Sequence, residues 1–406
     1  MFELKTVSKA VAAFACALSL CCFAPAASAQ GVRPEVGRPL QQAADALKAR
    51  RYADAAAKAR EADNASNKTA SEQAVIDRMR LSIASQSGDV STMTSLISGG
   101  RLPASQHLPL VQTVANAYYT QRDFGNAATW YQRYLKEGGT DPVVRTLLLQ
   151  SYYQAGDCGA VSRTLQGSIQ SDEAAGRAPS EDHLGMLGSC YQRTKDNTGY
   201  VFVLEKLATY YPKKEYWQSL LDRIQTKSGF SDRLMLDVYR LKLASGLMNG
   251  SKDYMEMAQM ALGDDYTSEA KKVVDQGFAN KVLGASGDVE RQKRLADLAG
   301  KRFAEGKANL AKDEAEAAAE RDGNNLVALG YNEVGYGQTA KGIALMEQGI
   351  KKGGLRRPEE AKLHLGIAYL QAGQKAKALQ VFKTVGGTDG AADLARLWSL
   401  QARRAA

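Results

Sequence analysis

Leu365-Gly366-Ile367-Ala368-Tyr369-Leu370-Gln371-Ala372-Gly373-Gln374-Lys375-Ala376-Lys377-Ala378-Leu379-Gln380-Val381-Phe382 is the stretch that decides the fold. Leu365 and Gly366 stand together, Tyr369 follows after two residues, Gly373 marks a turn, and Ala378 and Phe382 lie four apart beyond it. The spacing predicts two antiparallel helices, brought close by small residues and filled between by large ones. A pair of this kind cannot bury its apolar faces alone, so it requires stacked neighbours.

Those neighbours are visible upstream. Ala115-x2-Tyr118-Tyr119 recurs as Leu149-x2-Tyr152-Tyr153, and Phe124, Ala127 and Tyr131 return as Cys158, Val161 and Leu165, all at a period of 34 residues. The next unit, with Gly188, Tyr191, Tyr200, Leu204 and a closing Pro212, drifts to 39, and the polar loop around Ser171–Ser180 takes up the difference. Weaker units are expected at residues 38–62 (Ala43, Tyr52, Ala55), at 254–277 (Ala258, Ala270, Gly277), at 326–350 and from Trp217-x2-Leu220 onward. Residues 70–98 and 288–320 are helical by composition but match the repeat poorly. Ala311–Arg321 has little apolar surface to bury and is expected to be exposed or mobile.

The chain resembles the tetratricopeptide repeat proteins, whose pattern is Trp-x2-Leu-Gly-x2-Tyr, then Ala-x3-Phe, then Pro. Leu365-Gly366-x2-Tyr369 and Ala378-x3-Phe382 match it best, and Ala127-x3-Tyr131 matches its second half. The fold class that the resemblance implies is all-α, an α-solenoid of antiparallel helix pairs wound into a right-handed superhelix. Gly284-Ala-Ser-Gly-Asp288 is read as the internal break. The expected organisation is thus a solenoid over 40–283 and a shorter block over 288–406, closed by a capping helix at Asp393–Arg403 with Leu394, Leu397 and Trp398.

Residues 1–29 have the form of an export signal: Lys5 and Lys9, an apolar run from Ala10 to Ala24, and Ala27-Ser28-Ala29 before Gln30. That Ala-x-Ala site is a better match than the lipid-attachment alternative at Leu18-Ser19-Leu20-Cys21. The run is short for a membrane span and Pro25 interrupts it, so no transmembrane helix is expected in the mature chain. Residues 30–39, with two Pro and two Gly, are read as an extended lead-in. Without residues 1–29 the chain has 51 basic and 43 acidic residues, a net charge of +8. In an exported protein that surplus points to anionic envelope polymers or acidic protein surfaces and not to nucleic acid. The basic residues interleave with Asp and Glu, the densest groups being Lys351-Lys352 and Arg356-Arg357, which reads as a solvated helical surface.

Little catalytic chemistry is legible. His107, His183 and His364 are the only histidines, and none has metal-ligand spacing with another His or with Cys. Each is read as an ordinary surface or packing residue. Gly335-x-Gly337-x2-Ala340 imitates a dinucleotide fingerprint, but the residues before it read as helix where a strand is required. Its glycines are expected to serve a tight turn and close helix approach instead. No catalytic residue, metal site or cofactor is assigned, and the chain is expected not to be an enzyme.

Two further expectations rest on the repeat alignment and the resemblance. Cys158 and Cys190 fall where the second helix of one unit meets the first helix of the next. A disulfide there would be worth roughly 3 kcal/mol, if the Cα atoms lie within about 7 Å; sequence leaves the question open. Carried over from the family, the groove-lining positions are Asn116 and Tyr119, Gln150 and Tyr153, and Gln192 and Arg193. Amides suit a peptide backbone, and Tyr offers a flat surface with a polar tip. The competing reading is that Tyr119 and Tyr153 pack between repeats. The expected function is a periplasmic, non-enzymatic scaffold for a protein or peptide partner in the cell envelope. The alternative is a protein associated with peptidoglycan or polysaccharide, assisting a glycan-processing or export complex.

Overall fold

The computed structural model describes residues 32–404 apart from Arg101 and Pro212. The expected export signal and Pro212 lie outside the described residues. Twenty α-helices and no strand occur among those residues, so the chain is all-α and built from antiparallel helix pairs. It forms two compact units that divide at residue 197. Gly284–Asp288, read above as the break, lies inside the second unit. There Leu283 is buried, and the Gln292 amide ties the loop down by accepting from Gly284 N–H at 2.6 Å and donating to the Ser286 carbonyl at 2.9 Å.

The first unit contains α1 (Pro34–Lys48), α2 (Tyr52–Asp63), α3 (Ala70–Ser87), α4 (Val90–Ser98), α5 (Ala104–Thr120), α6 (Phe124–Lys136), α7 (Pro142–Ala155), α8 (Cys158–Ala174) and α9 (Glu181–Arg193). The extended lead-in expected over 30–39 gives way at Pro34, because proline at the first helical position loses no hydrogen bond and has φ preset for the helix. Residues 70–98, a poor match to the repeat, nonetheless form the pair α3 and α4.

One backbone device makes these pairs. The turn between the helices of a pair holds a residue at positive φ: Arg50 (56°), Gly88 (73°), Arg122 (61°) and Gly156 (79°), and Lys195 (57°), after α9, has the same conformation. An N-cap follows it directly. Asp89, Asp123 and Asp157 each accept from the backbone N–H three residues on, which satisfies a donor that the helix cannot. Arg122 and Gly156, Asp123 and Asp157, and Phe124 and Cys158 are thus the 34-residue period expressed in backbone geometry.

The second unit contains α10 (Asn197–Tyr210), α11 (Lys214–Gln225), α12 (Met235–Ala244), α13 (Gly250–Gly263), α14 (Thr267–Ala279), α15 (Val289–Ala319), α16 (Asn324–Gly335), α17 (Thr339–Lys352), α18 (Pro358–Gln371), α19 (Lys375–Phe382) and α20 (Ala391–Arg404). Leu365, Tyr369, Ala378 and Phe382 are all buried, and a Cβ at Gly366 would overlap the Phe382 ring. The repeat signature is therefore the contact surface of α18 on α19. Gly337 (φ 90°) turns α16 into α17, while a Cβ on Gly342 would run into the Gly330 carbonyl. Ala311–Arg321 largely belongs to the 31-residue helix α15; Leu310 and Ala317 are buried and most of its remaining residues there are exposed.

Helix α20 does more than cap the last pair. Leu394 and Leu397 are fully buried, and α20 packs on α18, on α19 and also on α12. Gln401 Nε2 donates to the Ala244 carbonyl at 2.8 Å, Ser231 N–H donates to the Asp389 carbonyl at 2.9 Å, and Lys227 pairs with Asp393 at 2.7 Å. These contacts close the second unit on itself.

Candidate functional site

The first unit brings the expected groove residues into a ladder. Tyr119 on α5 donates through its hydroxyl to Gln150 Oε1 on α7 at 2.9 Å, and Tyr153 on α7 donates to Ser189 Oγ on α9 at 3.0 Å. The first helices of three successive pairs are thus linked tyrosine to polar side chain. A second ladder runs beside it: Gln132 of α6 donates its amide to the Tyr152 hydroxyl, and Gln166 of α8 donates to Tyr191 at 2.7 Å. Gln132 and Gln166 again stand 34 apart.

Asn116 accepts from the Tyr131 hydroxyl at 2.8 Å within its own pair. Asn116, Tyr119, Gln150 and Tyr153 are half-buried, whereas Gln192 and Arg193 are exposed at the end of α9. Both readings of the tyrosines therefore have a physical counterpart: each hydroxyl bonds to the next pair, and part of each ring stays open to solvent. Burial pushes the Tyr119 pKa above its ordinary value. At neutral pH the face is uncharged along Asn116–Ser189 and becomes cationic at Arg193.

Cys158, the first residue of α8, and Cys190, in the last turn of α9, are joined as a disulfide with Cα atoms 5.2 Å apart. Cys158 occupies the place that Phe124 has one repeat earlier. The bond fastens α8 to the first helix that follows it, whereas Phe124 contacts Tyr119 of its own pair edge-on, ring centroids 5.4 Å apart.

The second unit holds a constellation that sequence did not reveal. Arg240 of α12, 4% exposed, places its guanidinium against the rings of both Tyr266 and Tyr331, at 4.7 and 4.8 Å, the two rings themselves meeting edge-on with centroids 5.3 Å apart. Its Nε and Nη2 form a fork on Glu269 of α14 at 2.9 and 2.6 Å, and Nη1 donates to Asp237 Oδ1 at 2.8 Å. His364 of α18, 2% exposed, puts Nε2 at 2.8 Å from Arg240 Nη1 and 2.9 Å from Asp237 Oδ1. Burial alone would raise the Asp237 pKa, but the attraction of His364 and Arg240 outweighs it and holds the carboxylate well below the usual range. Burial pushes Tyr266 and Tyr331 upward, so both stay phenolic.

Asp237, Glu360 and His364 each bring one donor atom within 4.8 Å of the others, which is the outline of a cation site. The Arg240 guanidinium already bridges two of them, and Arg233 and Arg357 hold Glu360 at 3.1 and 3.6 Å. The positive charge that such a trio would recruit is supplied by the protein. The cluster locks α12, α14, α16 and α18 together where the unit closes. His364 lies in the clearest repeat of the chain, but its hydrogen-bond partners Arg240, Tyr266 and Asp237 lie some 100 residues or more away in sequence, beyond the reach of local pattern.

The basic residues are less evenly spread than their interleaving suggests. Residues 351–406 contain 11 Lys or Arg against four Asp or Glu, while residues 198–350 contain 21 against 22. This asymmetry was open to counting and was hidden by the local mixing of signs.

No protein-family profile matches the chain, and no curated protein matches it. Among solved structures the chain is similar to yeast Tom70 at 12% identity, over 91% of this chain and 96% of that one, with a TM-score of 0.24. A likeness that slight carries no argument about fold or function.

Proposed function

We propose that this protein is an exported, non-catalytic scaffold of the cell envelope, whose first unit binds an extended segment of a protein partner along the first helices of successive pairs. The observation that carries this reading is the ladder from Tyr119 through Gln150 and Tyr153 to Ser189, which sets partly exposed aromatic and polar groups at regular intervals. Such a face can offer hydrogen bonds to a peptide backbone and flat surfaces to its side chains. The exposed pair Gln192 and Arg193 lies at the end of this face, where Arg193 Nη1 also donates to the Tyr153 carbonyl at 3.4 Å. The export signal read over residues 1–29 supports the periplasm as the compartment, which also suits a disulfide.

The test uses the exposed pair. A Gln192→Ala/Arg193→Glu variant should retain the far-UV circular dichroism of the parent and lose capture of the envelope partner identified by crosslinking. Retained capture would overturn the assignment. Fractionation of cells producing the tagged chain, with mass spectrometry of its N-terminus, should find it in the periplasm beginning at Gln30.

A further inference from the structure

We propose that the edge of the second unit formed by the end of α17, the start of α18 and the end of α19 docks on an anionic lipid surface. Lys351 and Lys352 close α17, Arg356 and Arg357 stand in the loop to α18, and Lys383 follows α19. Antiparallel packing brings these helix ends to one edge. Gly386 N–H donates to Glu359, Lys362 Nζ reaches the Thr384 carbonyl at 3.4 Å, and Arg356 N–H donates to Asn324 Oδ1 at 3.0 Å.

The carboxylates of residues 351–404 are already engaged. Glu359 is held by Lys362 at 2.8 Å, Glu360 and Asp389 by Arg233, and Asp393 by Lys227. Lys351, Arg356 and Lys383 are exposed, and among the described residues their side chains make no hydrogen bond or ion pair within the protein. Asp322 also lies beside this edge, its pKa held below the ordinary value by bonds from Asn324 and by the attraction of Arg356 and Lys352. The edge thus keeps a surplus of exposed cations, with Lys351 and Lys383 the least engaged.

The form of the edge favours a plane of anions over a chain or a folded partner. The cations sit on separate helix ends and do not line a groove. Exposed large hydrophobic residues among the described residues are Val143, Phe202 and Leu298, and none lies within 351–404, so the edge offers charge without an exposed large apolar side chain. A long polyanion leaving the edge would meet residues 301–350, which carry eight acidic residues against six basic ones. A lipid surface touches only the edge. Lysine there acts as a point charge, worth about 1 kcal/mol each near an anionic membrane. No described helix is long and apolar enough to cross a membrane, so the contact is peripheral.

Co-sedimentation of the full chain with phosphatidylcholine vesicles containing about one third phosphatidylglycerol tests the proposal. Binding is expected to these vesicles, to be absent from pure phosphatidylcholine, and to fall away at about 0.5 M salt, where the screening length shrinks to a few ångströms. A Lys351→Gln/Arg356→Gln/Lys383→Gln variant should partition roughly a hundredfold less. Lys136→Gln/Arg145→Gln, which removes two exposed cations of the first unit, should change nothing. Equal binding to neutral vesicles, unchanged binding of the triple variant, or tighter binding to soluble polyglutamate or dextran sulfate than to vesicles would each overturn it. The Gln192/Arg193 variant should bind vesicles like the parent, so failure of the scaffold reading and failure of this one give different results.

Discussion

In the first unit each helix packs mainly on its neighbours in sequence, and long-range bonds such as Arg33–Glu72, Tyr119–Gln150 and Tyr153–Ser189 join one pair to the next over 31 to 39 residues. In the second, α20 returns to α12 and bonds span as many as 166 residues. Both units use the same helix pair with the same left-handed turn, since Asp265 (64°), Gly337 (90°) and Gly373 (72°) repeat in the second what Arg50 to Lys195 do in the first. The difference lies in what is put between pairs. Hydroxyl-to-amide bonds on a half-buried face suit an array that stays accessible, whereas a buried, charged clasp suits one that closes. Repeat chemistry thus sets the pair, and long-range polar contacts set whether the array is open.

The comparison breaks most readily at Arg240. Arg240→Ala strands Asp237 and Glu269 without their cation, at a cost of about 3–5 kcal/mol. Hydrogen exchange followed by segment should lose protection in α12, α14 and α18 and keep it in α7 to α9. Equal loss across both units would show that the clasp is not local to the second. The first unit has its counterpart in Cys158–Cys190. Closing a loop with a sequence separation of 32 constrains the unfolded chain by roughly 3–4 kcal/mol. Cys158→Ser/Cys190→Ser should therefore lower denaturation midpoints in α8 and α9 and leave α12 and α18 untouched.

Much of this fold could be read from residues. Leu365, Gly366, Tyr369, Ala378 and Phe382 specified one pair because helix packing within a pair is local, and the echo at 34 residues placed Tyr119 and Tyr153 in register for the same reason. The closing of the second unit could not be read, because Arg240 and His364 are individually unremarkable and 124 residues separate them. Long-range charge pairing leaves no periodic trace. The pairing of Cys158 with Cys190 lies between these cases: repeat register set the two cysteines on facing helices, but only coordinates give their 5.2 Å Cα separation.

A pH experiment sharpens the contrast at the start of the first unit. Glu72, with no exposed surface, accepts from the Arg33 side chain at 3.0 Å, from Arg33 N–H at 3.0 Å and from Thr69 N–H at 2.9 Å, completing a capping box on α3. These bonds, the Arg33 side chain first, hold its pKa down at about 2 against an ordinary 4.5. A depressed carboxylate stabilises fully above its unfolded pKa and loses that contribution as pH falls through its folded one. Protection of α1 and α3 should accordingly decline between about pH 4.5 and pH 2. Glu72→Gln should lower protection at neutral pH and flatten that decline; an unchanged acid profile would rule out Glu72 as its source.

The smallest effect is also the most direct test of the shared turn. Arg122 and Gly156 occupy the same place in successive pairs, at φ 61° and 79°. A side chain in the left-handed region costs about 1–2 kcal/mol, and glycine gives back about 0.4–1 kcal/mol through the freedom of the unfolded chain. Arg122→Gly should therefore stabilise the first unit by roughly 0.5–1 kcal/mol. Gly156→Ala should destabilise it by about 1 kcal/mol through the strained φ. The one close atom, Arg193 Nη2 at 2.8 Å from the new Cβ, ends a flexible exposed side chain that can move aside. Opposite signs at two positions of one repeat would show that the turn conformation, and not the residue that evolution left there, is what the pairs have in common. A loss at both positions would mean that Arg122 contributes contacts that outweigh its backbone strain, and that the two turns are alike in shape only.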